Sequence, residues 1–371
     1  MGRATSTMSP FRRNRILIFL AVAAAGSLTA ALAASCALTR PLGEGLGFPT
    51  DTATAPPSST STAASIAPAG PSPVPSITPS ATPAPLCGGP NTMMILGIGA
   101  DSREDNYLYG LADAIRVARV DFTVPSISVL SFPRDLWVQI PEISSHYGIT
   151  EGKLNQAYFY GNPGMGYYDG PGAGPGLLAR TLDLNYGLRP DHYGAINMRT
   201  FVRLVDAVGG IELDLPEAVD GRPVDDQTED MGYFPAGHYL MDGATALRYS
   251  RIRKVDNVFH RDDRQTQVLC ALKKKILSPG SIGRIPQLIA AFQGSVQTDL
   301  SPAQLAQLAC VAPMVKPENL RLVSVPEDML TGTRNAQGSF IWAVDNQQLR
   351  DLVAQFVAGE WPTAPDTPSC P

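Results

Sequence analysis

Between Arg248 and Gln265 the chain carries five arginines and a lysine: Arg248, Arg251, Arg253, Lys254, Arg261 and Arg264. The whole molecule has a formal net charge of −5 and only six lysines, so this cluster runs against the overall balance. A guanidinium is planar, always charged and offers a fork of donors that matches phosphate oxygens. Two further pieces lie upstream, each after an apolar run: Asp101-Ser102-Arg103 and Phe132-Pro133-Arg134-Asp135. Arginines with isolated aspartates are the residue types of a site for a polyphosphate held with a divalent metal. Asp113 comes twelve residues after Asp101, just before the next strand, so both carboxylates can meet at one sheet edge. Mg²⁺ keeps several waters and needs few protein carboxylates beside phosphate oxygens.

Spacing sharpens the arginine reading. Arg251 and Arg253 alternate, so in an extended stretch they point the same way. Arg261 and Arg264, three apart, share a face of a helix. The two pairs flank one loop and can converge. Taken singly, each aspartate reads as a loop cap and a basic run as a solvated face. Other chemistries find little footing. Gly97-Ile-Gly99 lacks the third glycine and the helix of a dinucleotide fingerprint. No Walker A lysine or Gly-x-Ser-x-Gly elbow occurs, and the four histidines lack metal-ligand spacing.

The elements that must position these residues are strands and helices in mixture. Hydrophobic residues make up 44% and charged residues 17%, enough for a core, while 34 Gly and 33 Pro call for linkers and long loops. Apolar runs at 93–98, 115–122, 126–132 and 136–140 read as strands, with a turn at Val124-Pro125. A stretch dense in Gly, Tyr and Pro (158–176) reads as irregular. Helical spacing marks 177–184 and then 198–208, which stops at Gly209-Gly210. A strand at 211–215 is next, then a helix capped by Asp242 through Leu247, and one starting near Asp262 with Val268, Leu269, Leu272 and Ile276 on its apolar stripe. Beyond Pro279 come two helical patterns, a strand at 320–325 and a closing helix through Phe356. The pattern is α/β, in one domain.

Residues 16–34 are nineteen positions without a charge, preceded by Arg3, Arg12, Arg13 and Arg15. That length crosses a bilayer as a helix, with the arginines held in the cytoplasm. Three readings share this segment: an uncleaved signal anchor at the cell membrane, a lipoprotein signal with Cys36 lipidated, or plain cleavage near Ala33. All three export the rest of the chain. From about 48 to 86 the chain is almost only Ser, Thr, Ala and Pro, a semi-extended tether. No Cys-x-x-Cys occurs among cysteines 36, 87, 270, 310 and 370. With Cys36 set aside, four cysteines allow three connectivities; their positions point to 270–310 with 87–370, the alternative being free buried thiols.

From about 93 to 277 the chain resembles the LytR–CpsA–Psr family of extracytoplasmic glycopolymer transferases. The resemblance is carried by Leu96-Gly-Ile-Gly-Ala-Asp101-Ser-Arg103, Ala112-Asp113-Ala114, Phe132-Pro-Arg134-Asp135, Lys153-Leu-Asn155, Asp191-His-Tyr193 and Val205-Asp-Ala-Val208-Gly-Gly. It continues in Tyr249-Ser-Arg251-Ile-Arg253 and Arg261-Asp-Asp-Arg264-Gln265. It implies a three-layer α-β-α sandwich with a central mixed β-sheet, and a division into 1–15 (cytoplasmic), 16–38 (anchor or lipoprotein signal), 39–90 (linker), 91–278 (catalytic domain), 279–362 (extension packed on it) and 363–371 (tail).

The resemblance also implies a polyprenyl-pyrophosphate-linked glycan as donor and a peptidoglycan hydroxyl as acceptor. Mg²⁺ would sit on Asp101 and Asp113. Arg103, Arg134, Arg251, Arg253, Arg261, Arg264 and Gln265 would surround the pyrophosphate. Phe201, Val205 and Val208 would wall a groove for the lipid. The catalytic set would be Asp101, Arg134 and Asp135, with Asp101 first and Asp135 second as proton acceptor. Leu111 stands where the family often has arginine, and Val258 where it commonly has an acid. A lipid-pyrophosphate hydrolase and a non-catalytic exported regulatory or lipid-binding module are the rival readings. Nucleic acid is disfavoured, because the basic cluster lies outside the membrane and lacks interleaved aromatics.

Overall fold

The apolar run after Asn91 forms β1 (Thr92–Ala100), a central strand. The chain loops through Asp101 into β2 (Ala112–Asp121) and reverses at Val124-Pro125 into β3 (Ser126–Phe132). A small antiparallel pair, β4 (Trp137–Gln139) and β5 (Glu151–Lys153), leads to α1 (Leu154–Gly161) and α2 (Ala173–Tyr186). Next come β6 (His192–Asn197), α3 (Met198–Ala207), β7 (Ile211–Leu215), β8 (Val219–Asp220), β9 (Tyr233–Phe234), β10 (Gly237–Met241), α4 (Gly243–Arg251) and α5 (Val258–Ile276). The last part supplies β11 (Val296–Thr298), α6 (Pro302–Val311), β12 (Leu320–Ser324), the hairpin β13 (Leu330–Arg334) and β14 (Phe340–Val344), and α7 (Asn346–Ala358). This computed structural model describes residues 39–48, 84–102, 104–226, 228–252, 258–278, 295–360 and 370.

Six strands make the main sheet in the order β11-β6-β1-β2-β3-β12. β6 runs parallel to β1 and β12 parallel to β3, while the other pairs are antiparallel. Both edges come from beyond residue 279, so the 91–278 and 279–362 segments share one sheet. Alternation along β1 and β2 sends Leu96, Ile98, Ile115 and Val117 to one face, where Leu154, Leu177, Leu182, Leu349 and Phe356 of α1, α2 and α7 cover them. On the other face α3, α4 and α5 build a separate cluster around Val205, Ile211, Tyr249 and Val268. α6 closes a third under Met93 and Phe122. The result is the expected three-layer α-β-α sandwich with a central mixed sheet.

Several local expectations differ from what forms. The Gly/Tyr stretch 158–176 is helical at both ends, because Tyr158 is fully buried in α1 and Gly174 and Gly176 pack tightly at the start of α2. The Asp242-capped helix runs past Leu247 to Arg251, with Tyr249 buried and its hydroxyl donating to Gln267 Oε1 at 2.6 Å. Arg251 therefore ends a helix and does not lie in an extended stretch. α5 begins at Val258, one turn before Asp262. One helical pattern beyond Pro279 is α6; residues 279–294 lie outside the described residues.

The cysteines pair as Cys87–Cys310 and Cys270–Cys370, with Cα–Cα distances of 5.9 and 5.1 Å. This overturns both the 270–310 with 87–370 pairing and the free thiols. Cys270 on α5 packs with Cys370 over β12, whereas Cys87 packs in the α6 cluster. Part of the expected linker is also seated on the domain. Leu46 is buried in the main core, and the Leu42 N–H donates to Leu300 O at 3.3 Å. Gly47, at φ +67°, lies so close to Pro171 that a Cβ would come within 2.5 Å. The uncharged run 16–34 and Cys36 fall outside the described residues, and no described helix is long and apolar enough to cross a membrane.

Candidate active site

Asp101 and Asp113 reach one rim through an irregularity in strand pairing. Gly99 faces Ala114 but Ala100 faces Ala112, so Asp113 is the extra residue of a bulge. A bulge re-aims the side chain it inserts. Asp113 thereby joins Ala114 and Arg116 on the wall of a cavity of ≈ 940 Å³, which Asp101 also lines. The Asp101 N–H donates to Leu111 O at 2.8 Å, which pins the loop mouth. Farther along, Tyr107 is buried with its hydroxyl 2.6 Å from Ser295 O, and it accepts the Asn197 N–H at 3.0 Å. Burial pushes this phenol up to about 12.

Arg134 comes just after β3 and bonds the Asp113 carboxylate with one guanidinium nitrogen. Its Nε donates to Asp135 Oδ2 at 3.3 Å, and Lys153 Nζ holds Asp135 Oδ1 at 2.8 Å. Asp135 is only 9% exposed. Burial alone would raise its pKa, but the Lys153 hydrogen bond and the charges of Arg134 and Lys153 hold it below the usual carboxylate range. Both Asp135 oxygens are thus engaged by cations, one of them Arg134, and the residue lies off the cavity wall.

The basic cluster divides when folded. On α5, Arg261, Gln265, Val268 and Leu269 form one stripe on the cavity. Arg261 is buried and its Nη2 lies 3.5 Å from Asp113 O. Arg264 is buried too, but it turns toward α4 and donates to the Ile252 carbonyl at 2.7 Å. It caps the helix end that delivers Arg251 and does not line the cavity. Arg251 does line it, and Glu229 accepts from its Nη2 at 3.0 Å. Arg103 and Arg253 lie outside the described residues. Of the expected lipid wall only Phe201 faces the cavity. Val205 and Val208, one and two turns on, pack into the α3–α4–α5 cluster.

Apolar walls come from Met198 and Phe201 of α3, Leu247 of α4, Val268 and Leu269 of α5, and Val224 and Met231 of the preceding loop. The floor is Gly97, Gly99, Ala114 and Gly194. The chemistry that results is a cationic and acidic rim opening on a greasy slot. Two residues outside the expected site prove central. Arg116 is buried in β2 and binds Asp262 Oδ1 at 2.7 Å and Thr266 Oγ1 at 3.1 Å, which bolts α5 to the sheet. An arginine on the inward side of an apolar strand was the available signal. Lys153 belongs to the Lys153-Leu-Asn155 motif, but only folding brings it to Asp135.

Mg²⁺ takes one or two protein carboxylates beside substrate phosphates; Asp101 and Asp113 both line the cavity, and Asp113 also accepts from Arg134. Among the described residues no group of three or more His, Cys, Asp or Glu forms an all-protein metal site.

Known proteins share this arrangement of chain. Regulatory protein MsrR of Staphylococcus aureus (strain COL) is 25% identical over 266 residues, 70% of this chain and 73% of MsrR. The polyisoprenyl-teichoic acid–peptidoglycan teichoic acid transferase TagU of Halalkalibacterium halodurans is 34% identical over 210 residues, 56% of this chain and 60% of TagU. The crystal structure of B. subtilis TagV superposes with a TM-score of 0.56 at 22% identity, covering 72% of this chain and 96% of TagV. A model of the LytR_cpsA_psr family matches residues 60–356, which takes in the cavity rim, the arginine helix and both edges of the sheet. The chain belongs to the LytR_cpsA_psr family.

Proposed function

We propose that this protein transfers a glycopolymer phosphate from a polyprenyl-pyrophosphate carrier to a peptidoglycan hydroxyl, outside the membrane. The observation that carries the reading is the cavity itself, where Arg134, Arg251, Arg261 and Gln265 edge a slot walled by Phe201, Leu247, Val268 and Leu269. Donors at the rim suit a diphosphate, and an apolar slot suits the carrier's hydrocarbon. The name of TagU supports a lipid-linked donor and a wall acceptor. Two disulfides agree with an oxidising compartment, and the charge-free run 16–34 agrees with a single N-terminal membrane anchor.

In this mechanism the acceptor oxygen attacks the glycan-bearing phosphorus and polyprenyl phosphate departs. Arg134, Arg251 and Arg261 offset charge on the transferred and leaving phosphates. Asp101, at the loop mouth, accepts the acceptor's proton. Mg²⁺ held by Asp101 and Asp113 would supply further neutralisation of the diphosphate. Gln265 adds a neutral donor, and Asp135 with Lys153 keeps Arg134 in place.

Mass spectrometry of the protein as purified from membranes tests the donor class, with a co-purifying polyprenyl phosphate or pyrophosphate expected. Arg134→Ala should lower transfer from a lipid-pyrophosphate donor by a hundredfold or more, on the order of an oxyanion donor's removal. Undiminished transfer by Arg134→Ala would refute the assignment.

A further inference from the structure

The protein carries a half-buried aromatic cluster, exposed at Tyr147 and Tyr109, that the cavity does not use. Tyr167 is its hub. His146 stacks on it with ring centroids 4.9 Å apart and planes at 11°, Tyr160 stacks on it at 5.9 Å, and Tyr147 tilts against it at 5.9 Å. Tyr147 is 89% exposed, and Tyr109, whose ring lies against Gly164, is 56% exposed. None of these residues lines the cavity.

Its position relative to the rim is fixed at both ends of α1. At the N-terminal end, Lys153 bonds Asp135, which holds Arg134. At the other end the Asn162 side chain donates to Gly110 O at 3.1 Å and the Gly164 N–H to Leu108 O at 3.0 Å. Gly110 itself abuts the Asp101–Ser102 backbone, which a Cβ would meet at 3.0–3.2 Å. Eight helical residues span about 12 Å, so the aromatic face begins roughly one short helix from the arginine rim. It sits beside the loop that carries Asp101.

Composition narrows the occupant. Between positions 136 and 180 the cations are Lys153, which is taken by Asp135, and Arg180, which donates to the Tyr168 hydroxyl at 2.8 Å and pairs with Glu142 at 3.7 Å. The acids there are Glu142, Glu151 and Asp169. Both cations are already paired with carboxylates, so an anionic lipid surface or an anionic polymer would have to compete for them. Tyrosine and histidine rings offer a negative π-face with a polar rim. Pyranose C–H groups stack on such faces while sugar hydroxyls bond the phenols.

We propose that this face binds the glycan strand of the wall acceptor, presenting a sugar hydroxyl to the Asp101 loop. The proposal rests on the transferase reading and names where its second substrate lies. The test measures binding of soluble, uncross-linked peptidoglycan glycan strands to the intact protein, beside binding of a polyprenyl diphosphate to the same samples. Tyr147→Ala with Tyr109→Ala should weaken strand binding about tenfold, of the order seen for removing a stacking aromatic, and leave the diphosphate affinity unchanged. Tyr147→Trp should retain strand binding. In transfer assays the double variant should raise the acceptor KM with little change in kcat. Strand binding equal to wild type in the double variant, no strand binding by wild type, or equal loss of both ligands overturns the proposal. Strand binding lost selectively in a protein that takes no polyprenyl diphosphate would uphold the aromatic site and sink the donor reading instead.

Discussion

Asp262 is the residue whose loss should reveal how the arginine helix is held. Its carboxylate takes Arg116 on one oxygen at 2.7 Å and the Ser324 hydroxyl of β12 on the other. Arg116 Nη2 also approaches the Asp262 carbonyl at 3.2 Å. Side-chain exposures are 10% for Arg116 and 21% for Asp262, so solvent screens the pair only partly. Breaking a buried pair from one side costs about 3–5 kcal/mol, and a hydrogen bond to a charged group contributes about 1.5–3. Discounted for the exposure, Asp262→Ala should cost about 2–3 kcal/mol. Arg116→Met should cost somewhat less, since Met fills the stem's volume and Ser324 still satisfies Asp262. If the two act as one bolt, the double variant should be better than the sum of the singles by about 1–2 kcal/mol. Urea unfolding with an unchanged m-value reads the three differences. Because Arg261 and Gln265 ride on the same helix, each single variant should also weaken binding of a polyprenyl diphosphate. Coupling below about 0.5 kcal/mol, or full donor affinity in a destabilised Asp262→Ala, would refute the reasoning.

Glu229 pairs with Arg251 across the cavity mouth at 3.0 Å, so an anionic donor must compete with it. An exposed pair of this kind is worth about 0.2–1 kcal/mol, and Glu229→Gln should tighten polyprenyl diphosphate binding up to about fivefold; an unchanged or weaker Kd would count against competition. Asp135 gives a pH signature. Its folded pKa lies below the ordinary 3.8, so its stabilisation is fully present above that value and fades as pH falls through the folded pKa. Unfolding free energies of wild type and Asp135→Asn should therefore differ by a constant at pH 5–8 and converge in acid below about pH 4. A difference that persists undiminished to the lowest pH where both fold would show that the carboxylate's charge is not what stabilises this corner.

The central strands and the α3 and α4 starts were legible because burial imposes a period. β1, β2 and β3 alternate or run apolar, and Asn197 and Asp242 are ordinary helix caps, accepting from Thr200 and Thr245. What the sequence hides is set by distant partners. β13 and β14 bury little beyond Leu330 and Ile341, so no alternation announces them. Arg251 looked extended beside Arg253 because the two alternate around Ile252, yet Tyr249 anchored in the second cluster carries the helix through it. Three residues separate Arg261 from Arg264, and that spacing puts both near one face without saying which neighbour each meets. The cavity lies on one side and the Ile252 carbonyl on the other. Disulfide connectivity is beyond spacing for the same reason, since four cysteines leave three choices until the helices are placed.

The cavity exists because side chains are missing from its floor, and this ties the fold to the chemistry. β1 and β6 pair in parallel with Gly97 opposite Gly194, and Gly99 lies two residues on. Glycine inside a strand costs roughly 0.5–1 kcal/mol in backbone entropy and contributes nothing to packing, so three in one central patch weaken the sheet where it should be strongest. Protein contacts do not account for all three. A Cβ at Gly194 would meet nothing within 4 Å, and at Gly97 only the Arg116 carbonyl oxygen at 3.6 Å, an ordinary contact. Gly99 is different, since a Cβ there would press on Ala114 at 3.1 Å, beside the bulge that turns out Asp113. Two glycines thus leave room that the protein itself does not fill, and the third lets the strands close where a carboxylate must emerge. A strand that forgoes stability in this way marks where something else lies against the backbone. The walls above it, aliphatic along α3 and α5 with arginines and carboxylates together at the rim, suit the lipid-linked diphosphate proposed above.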